Sequence, residues 1–223
     1  QTPHLKRYAQ TFKTLHIDTN VYIDGFNLYY GCVKGTSYRW LNLSKLCTML
    51  LPGHNINHIR YFTALVTPTP NDPQKLQRQL TYIRALETIP NLSVHYGQFM
   101  THPVWRPLVN PVKGRPAMVQ VLDTKEKGSD VNLATYLLGD GFKKDYQMAI
   151  VISNDSDLVE PIKLASNLLR LDVGVLHPHR RHVKELSQVA KFYRPIRERA
   201  LKASLFPSVL TDAIGTITKP STW

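Results

Sequence analysis

Residues 151–160 read VISNDSDLVE. The apolar run that leads in, Met148 to Ile152, shows no polar alternation and is too short for a helix, the pattern of a strand buried on both faces. Beyond the break, Leu158, Ile162, Ala165 and Leu169 recur at helical spacing, predicting a helix over about 157–169. A doubly buried strand feeding straight into an amphipathic helix is the unit of a parallel sheet covered by helices. An Asp at the break can cap the helix. Asp155 and Asp157, with Ser153, Asn154 and Ser156 around them, exceed what a cap requires, and the sharper reading is a cation site.

Working outward, VYID (21–24) is a short buried strand ending on Asp24, with Gly25 at the turn after it. LNLSKLCTMLL (41–51) has helical spacing, and HIRYFTALV (58–66) and LSVHYGQFM (92–100) read as strands. Asp72-Pro73 signals a helix start, with Leu76, Leu80, Ile83 and Leu86 as its core face. Pro103, Pro107, Pro111 and Pro116 make 101–117 a loop or extended ribbon. AMVQVL (117–122) is a strand, and Ser129 caps a helix that turns Val131, Ala134, Leu137 and Leu138 inward and stops at Gly139. DVGVL (172–176) closes the sheet, and basic helices follow. The fold class is α/β, with a mostly parallel central sheet and helices on both sides. Residues 1–20 form a basic N-terminal arm, 21–176 the α/β domain, and 177–223 a basic helical extension packed on it.

The 223 residues include 43% hydrophobic side chains, enough for a substantial core, and carry a formal net charge of +12. Residues 179–202 hold eight Lys and Arg against Glu185 and Glu198 alone. That asymmetry favours a polyanionic partner, nucleic acid before membrane, with Arg180, Arg181 and Lys184 as backbone contacts. Cys32 and Cys47 have no metal-type spacing and fit a reducing, cytoplasmic setting. No apolar run approaches the roughly 20 residues that a membrane helix needs.

In a parallel sheet, ligands bind beyond the carboxyl ends of the strands, near the switch in strand order. Asp24 and Asp155 end strands, and Asp130 opens a helix in KGSDVNLA, so all three should reach the same edge. Carboxylates gathered there call for a hard cation, Mg²⁺ or Mn²⁺. Asp157 would assist, Asn27, Ser153 and Asn154 would orient the acids or touch phosphate, and Lys127 would meet phosphate. Glu126 is an extra candidate ligand, and Asp123 is less well placed. Each acid alone is also explained by helix capping. Ser156 has no neighbouring His base, and the histidines of HPHRRH (177–182) lack a Cys partner for zinc. Tyr29, Tyr30, Tyr38 and Trp40 suit base stacking or core packing.

VYIDGFNLYYG, KEKGSDVNLATYLL and AIVISNDSDLVEPI, in this order and spacing, resemble the NYN domains of the PIN-like nuclease superfamily, in the bacterial DUF88 or LabA-like branch. The resemblance runs from about residue 20 to 176 and implies a Rossmann-like three-layer sandwich that cuts RNA with Mg²⁺ or Mn²⁺. By motif position it makes Asp24, Asp130 and Asp155 metal-holding acids, Asp157 a further catalytic acid and Asn27 the companion of the first. The reading is a metal-dependent ribonuclease; the alternative is an RNA-binding regulatory module without catalysis. A haloacid-dehalogenase-type phosphatase fits less well, because DGFN lacks a second Asp after the first strand. A homodimer through residues 29–40 and 101–117 is a further expectation.

Overall fold

In the computed structural model, which describes residues 16–114 and 116–223, strand β1 (Ile17–Asp24) is buried on both faces from Thr19 onward and sorts the molecule into layers. Val21 and Ile23 enter one core, Tyr22 the other, as the two-residue period of a strand requires. Strand β6 (Met148–Ile152) repeats this: Ile150 and Ile152 join Val21, while Ala149 and Val151 join Tyr22. The first core takes its cover from helices α2 (Leu43–Leu50), α3 (Lys75–Leu86) and α7 (Glu198–Ala203). The second is covered by α4 (Ser129–Phe142), α5 (Val159–Asn167) and α6 (Lys184–Val189). The result is the expected three-layer α/β sandwich.

With β2 (His54–Thr63), β3 (Leu92–Tyr96), β7 (Asp172–His177) and β8 (Phe192–Pro195), the sheet runs β3-β2-β1-β6-β7-β8, and every neighbouring pair is parallel. From β1 the chain winds outward through β2 and β3, then returns to β6 on the other flank. The switch in strand order therefore lies between β1 and β6, the strands that end at Asp24 and just before Asp155.

A buried polar knot joins α4 to the sheet. Arg60 donates from Nε to Asp140 Oδ2 at 2.6 Å and from a terminal nitrogen to Oδ1 at 3.0 Å. Tyr22 donates its hydroxyl to the same carboxylate at 2.9 Å, and the Arg60 guanidinium lies over the Tyr136 ring. Taking Asp140 out of water is tolerable because both its oxygens are paired.

Several expectations are corrected. The arm expected over 1–20 lies outside the described residues up to 15, and Ile17 already belongs to β1. β7 does not close the sheet; β8 adds an edge strand beyond it. The segment after α7 is a hairpin, β9 (Val209–Asp212) with β10 (Gly215–Thr218), and not only helix. The third strand breaks at Gly97, beyond which β4 (Gln98–Pro107) pairs antiparallel with β5 (Met118–Lys127) as a separate ribbon. The expected strand 117–122 thus serves the ribbon and not the central sheet.

α3 begins at Lys75, because Asp72 is committed to Arg78 at 2.5 Å instead of capping, and its buried face is Ile83, Ala85 and Leu86. α4 continues past Gly139, so its inner face is Leu133 and Leu137, and Val131 is 68% exposed. Ser129 is the first helical residue and not the cap: Gly128 precedes it at φ 98°, a conformation that glycine alone adopts freely. The Ser129 N–H donates to Glu126 Oε1 at 3.1 Å.

Candidate active site

Asp24 is 5% exposed at the last position of β1. Its Oδ1 accepts the Asn27 N–H at 2.8 Å, capping the single turn α1 (Gly25–Leu28), and its Oδ2 accepts from Ser153 Oγ at 3.0 Å. Gly25 makes the turn possible, since a Cβ there would stand 2.7 Å from the Phe62 carbonyl oxygen and from the Tyr61 ring. Burial lifts the Asp24 carboxyl to about 6; the Asn27 and Ser153 bonds oppose the rise, and the charges of Asp130 and Asp155 add to it.

The second motif is built on the first. Ser153, fully buried, passes its hydroxyl to Asp24 and accepts the Asp155 N–H at 3.1 Å. Asp155 Oδ1 accepts the Asp157 N–H at 2.9 Å and so caps the short 3₁₀ turn Ser156–Leu158. Asn154 takes the side-chain carbonyl of Asn27 on its N–H at 2.8 Å and donates from Nδ2 to the Arg181 carbonyl at 2.9 Å. Its own Oδ1 accepts from the Tyr193 hydroxyl on β8. The capping explanation for Asp24 and Asp155 is therefore correct for one oxygen of each.

Asp130, in the first turn of α4, is raised above the usual carboxylate range by burial first, then by the charges of Asp155, Glu126 and Asp157. The structure thus brings the predicted acids within electrostatic reach of one another. Asp24, Asp130, Asp155 and Glu126 line one cavity of about 340 Å³, together with Asn27 and His179. Asp157 is exposed and Lys127 lies on the ribbon; neither lines it. Asp123 is engaged by Arg106 at 2.9 Å and by Lys125 at 3.3 Å.

A larger cavity of about 650 Å³ adjoins it. Asn27, Asp155 and His179 border both, and Arg181, His182 and Lys184 line the far side. Arg180 does not line it. His179 lies where acid and base meet, a position that the His-rich stretch alone does not disclose.

Among the described residues, no three His, Cys, Asp or Glu side chains stand close enough to grip a metal ion unaided. The donor set still suits a hard cation. It consists of carboxylate oxygens around a cavity with room for water, and the charges of the neighbouring acids add to the raised proton affinity of Asp24 and Asp130. Mg²⁺ in particular keeps several waters and uses only one or two protein carboxylates.

The sequence profile of the NYN domain family matches residues 18–196. The chain is a member of the NYN domain family. The NYN match reaches Ile196 and so includes β8, whose Tyr193 supports Asn154. The NYN chain is also 28% identical over 234 residues to 6-hydroxy-3-succinoylpyridine 3-monooxygenase HspA of Pseudomonas putida (strain DSM 28022 / S16), covering 92% of this chain and 75% of that protein. A solved structure of a protein of unknown function from Vibrio parahaemolyticus RIMD 2210633 superposes with a TM-score of 0.53 at 17% identity, over 86% of this chain and 97% of that one. The NYN family is nuclease-like and belongs with the PIN-like fold. Among the described residues of this NYN domain, no helix is long and apolar enough to cross a membrane.

Proposed function

We propose that this NYN domain is a ribonuclease dependent on Mg²⁺ or Mn²⁺. The observation that carries the reading is the continuity of the acidic cavity with the basic groove through Asn27, Asp155 and His179. Asp24, Asp130 and Asp155 would hold the ion, with Asp157 in support. When bound, such an ion neutralises the carboxylates, polarises a phosphodiester and makes an attacking water more acidic.

The chain's own residues do the positioning. The Asn27 N–H and the Ser153 hydroxyl stabilise the charged form of Asp24 and fix its orientation. Asn154, held by Asn27, Tyr193 and the Arg181 carbonyl, keeps the groove wall against the acids. Arg181 and Lys184, with His179 and His182, receive the RNA backbone; Arg180 and Lys127 extend that contact outside the cavities. Exposed Trp105, Val109 and Leu122 on the ribbon and its loop support self-association, which light scattering would report as a dimer mass. Free Cys32 and Cys47 support a reducing, cytoplasmic setting.

The test is cleavage of labelled single-stranded RNA, structured RNA and matched DNA with Mg²⁺, Mn²⁺ or EDTA. Asp24→Asn and Asp155→Asn, checked for folding, should abolish metal-dependent cutting of RNA. Salt-sensitive RNA binding without cutting by the wild type would make the protein the non-catalytic binding module. A second reading rests on the Pseudomonas putida relative, whose name assigns it oxygenation of a hydroxypyridine. Oxygen uptake with 6-hydroxy-3-succinoylpyridine and a reductant, absent RNA cleavage, would favour it.

A further inference from the structure

A third cavity, of about 360 Å³, adjoins the acidic one, shares no lining residue with the basic groove and has no role in the mechanism above. Phe26 and Tyr30 border both it and the acidic cavity. Its walls are aromatic: Tyr29 and Tyr30 meet edge to face at 5.2 Å, and Tyr61, Tyr82 and Trp223 form a chain of edge contacts. The volume is at the lower end of the roughly 300–1,000 Å³ usual for small-ligand sites.

Several of its polar groups are already used. Gln79 donates to the Ala64 carbonyl and accepts the Val66 N–H, both at 2.9 Å, and Asp72 is held by Arg78. Tyr82 donates to the Leu41 carbonyl at 2.9 Å. Arg39 Nε is buried and, among the described residues, has no hydrogen-bond partner. A buried donor left unmade costs free energy, so such a group calls for an acceptor. Flat aromatic walls and a lining guanidinium with no acceptor among the described residues are together complementary to a planar ring that carries acceptor atoms.

Building on the ribonuclease reading, we propose that this cavity is the subsite for one base of the RNA strand. The ring stacks on the Tyr30 side of the cavity, and the Arg39 guanidinium, which lines it, donates to one of the ring's acceptors. The adjoining phosphate then lies over the acids, because Phe26 and Tyr30 separate the two cavities by one side chain's width. The strand runs from the aromatic cavity past the acids into the basic groove. Stacking accepts any base, so the subsite sets register more than sequence.

The test is a fluorescence titration in a Trp105→Phe background, leaving Trp223 and Trp40 near the cavity as reporters. The probes are AMP and UMP, with nicotinate as a pyridine acid. AMP and UMP should give saturable changes, weakened about 5- to 100-fold by Tyr30→Ser and by Arg39→Met. Tyr30 is 58% exposed, so its replacement keeps the test sound should Arg39→Met fold poorly. Both variants should raise KM for a short RNA far more than they lower kcat. Unchanged affinities in both folded variants, or binding of nicotinate without either nucleotide, would overturn the subsite. If the wild type cuts RNA and neither variant alters KM, the subsite falls and the ribonuclease stands. If nothing is cut but nucleotide binding depends on Tyr30 and Arg39, the subsite stands and the ribonuclease falls.

Discussion

Asn27 Oδ1 accepts the backbone N–H of Asn154 at 2.8 Å, closing a contact across 127 positions of sequence. It holds the turn after β1 against the turn after β6, and Asp24 and Asp155 ride on those two turns. Asn27→Ala would leave a partly buried N–H unanswered, a loss of about 1–3 kcal/mol. The expected result is a modest fall in denaturant midpoint and a much larger fall in kcat at nearly unchanged RNA affinity. Equal losses in kcat and binding would argue against a positioning role.

Asp24 predicts a distinctive pH dependence of stability. With its carboxyl raised to about 6, against about 3.9 in an unfolded chain, the folded state holds the proton first. Its contribution is therefore fully present below about pH 4 and is lost as pH rises through about 6, to the extent of about 3 kcal/mol. Asp24→Asn should remove that part of the slope and be the more stable protein near pH 7. Denaturant unfolding at pH 4.5 and 7 would check this, and Mg²⁺ should rescue the wild type at pH 7 but not the variant. Identical slopes in the two proteins would refute the assignment.

Arg181→Ala and Lys184→Ala should act on RNA affinity through salt. Each lost phosphate contact lowers the slope of log affinity against log salt by about 0.7 for a single strand. Filter binding between 50 and 200 mM salt, as about a fourfold range, reads this directly. A weaker affinity with an unaltered slope would mean that these side chains do not meet phosphate.

Asp140 should matter to folding alone. Asp140→Ala leaves the partly buried Arg60 guanidinium without its carboxylate, at a cost toward the lower end of about 3–5 kcal/mol. Thermal unfolding should show the loss, while cleavage per folded molecule at low temperature stays near wild type. Selective loss of cleavage in the folded fraction would place Asp140 in the site instead.

Much of this was legible in the chain because burial leaves a local imprint. Met148 to Ile152 could only be a doubly buried strand, and Asp24 and Asp155 were placed at one edge by the parallel topology that such strands imply. β8 left no such imprint: Phe192–Pro195 is two half-buried and then two exposed residues at a sheet margin, ending on proline. Asp72-Pro73 has the form of a helix start, yet Arg78, brought round by the helix itself, claims the carboxylate first. Glu126 read as a spare ligand, and the fold also gives it the first N–H of α4 to cap.

Local pattern thus decided the inner strands, the approximate helices and the choice of candidate acids, since period and capping depend on neighbours a few residues away. Which side chains share a cavity depended on long-range packing. His179 comes beside Asp155, Asn27 closes on Asn154, and Arg39 shares a cavity with Tyr82 and Trp223 only when β2, α3 and the segment after β10 converge. Those contacts form through tertiary burial, where the balance of desolvation and partner geometry has no signature within any one segment.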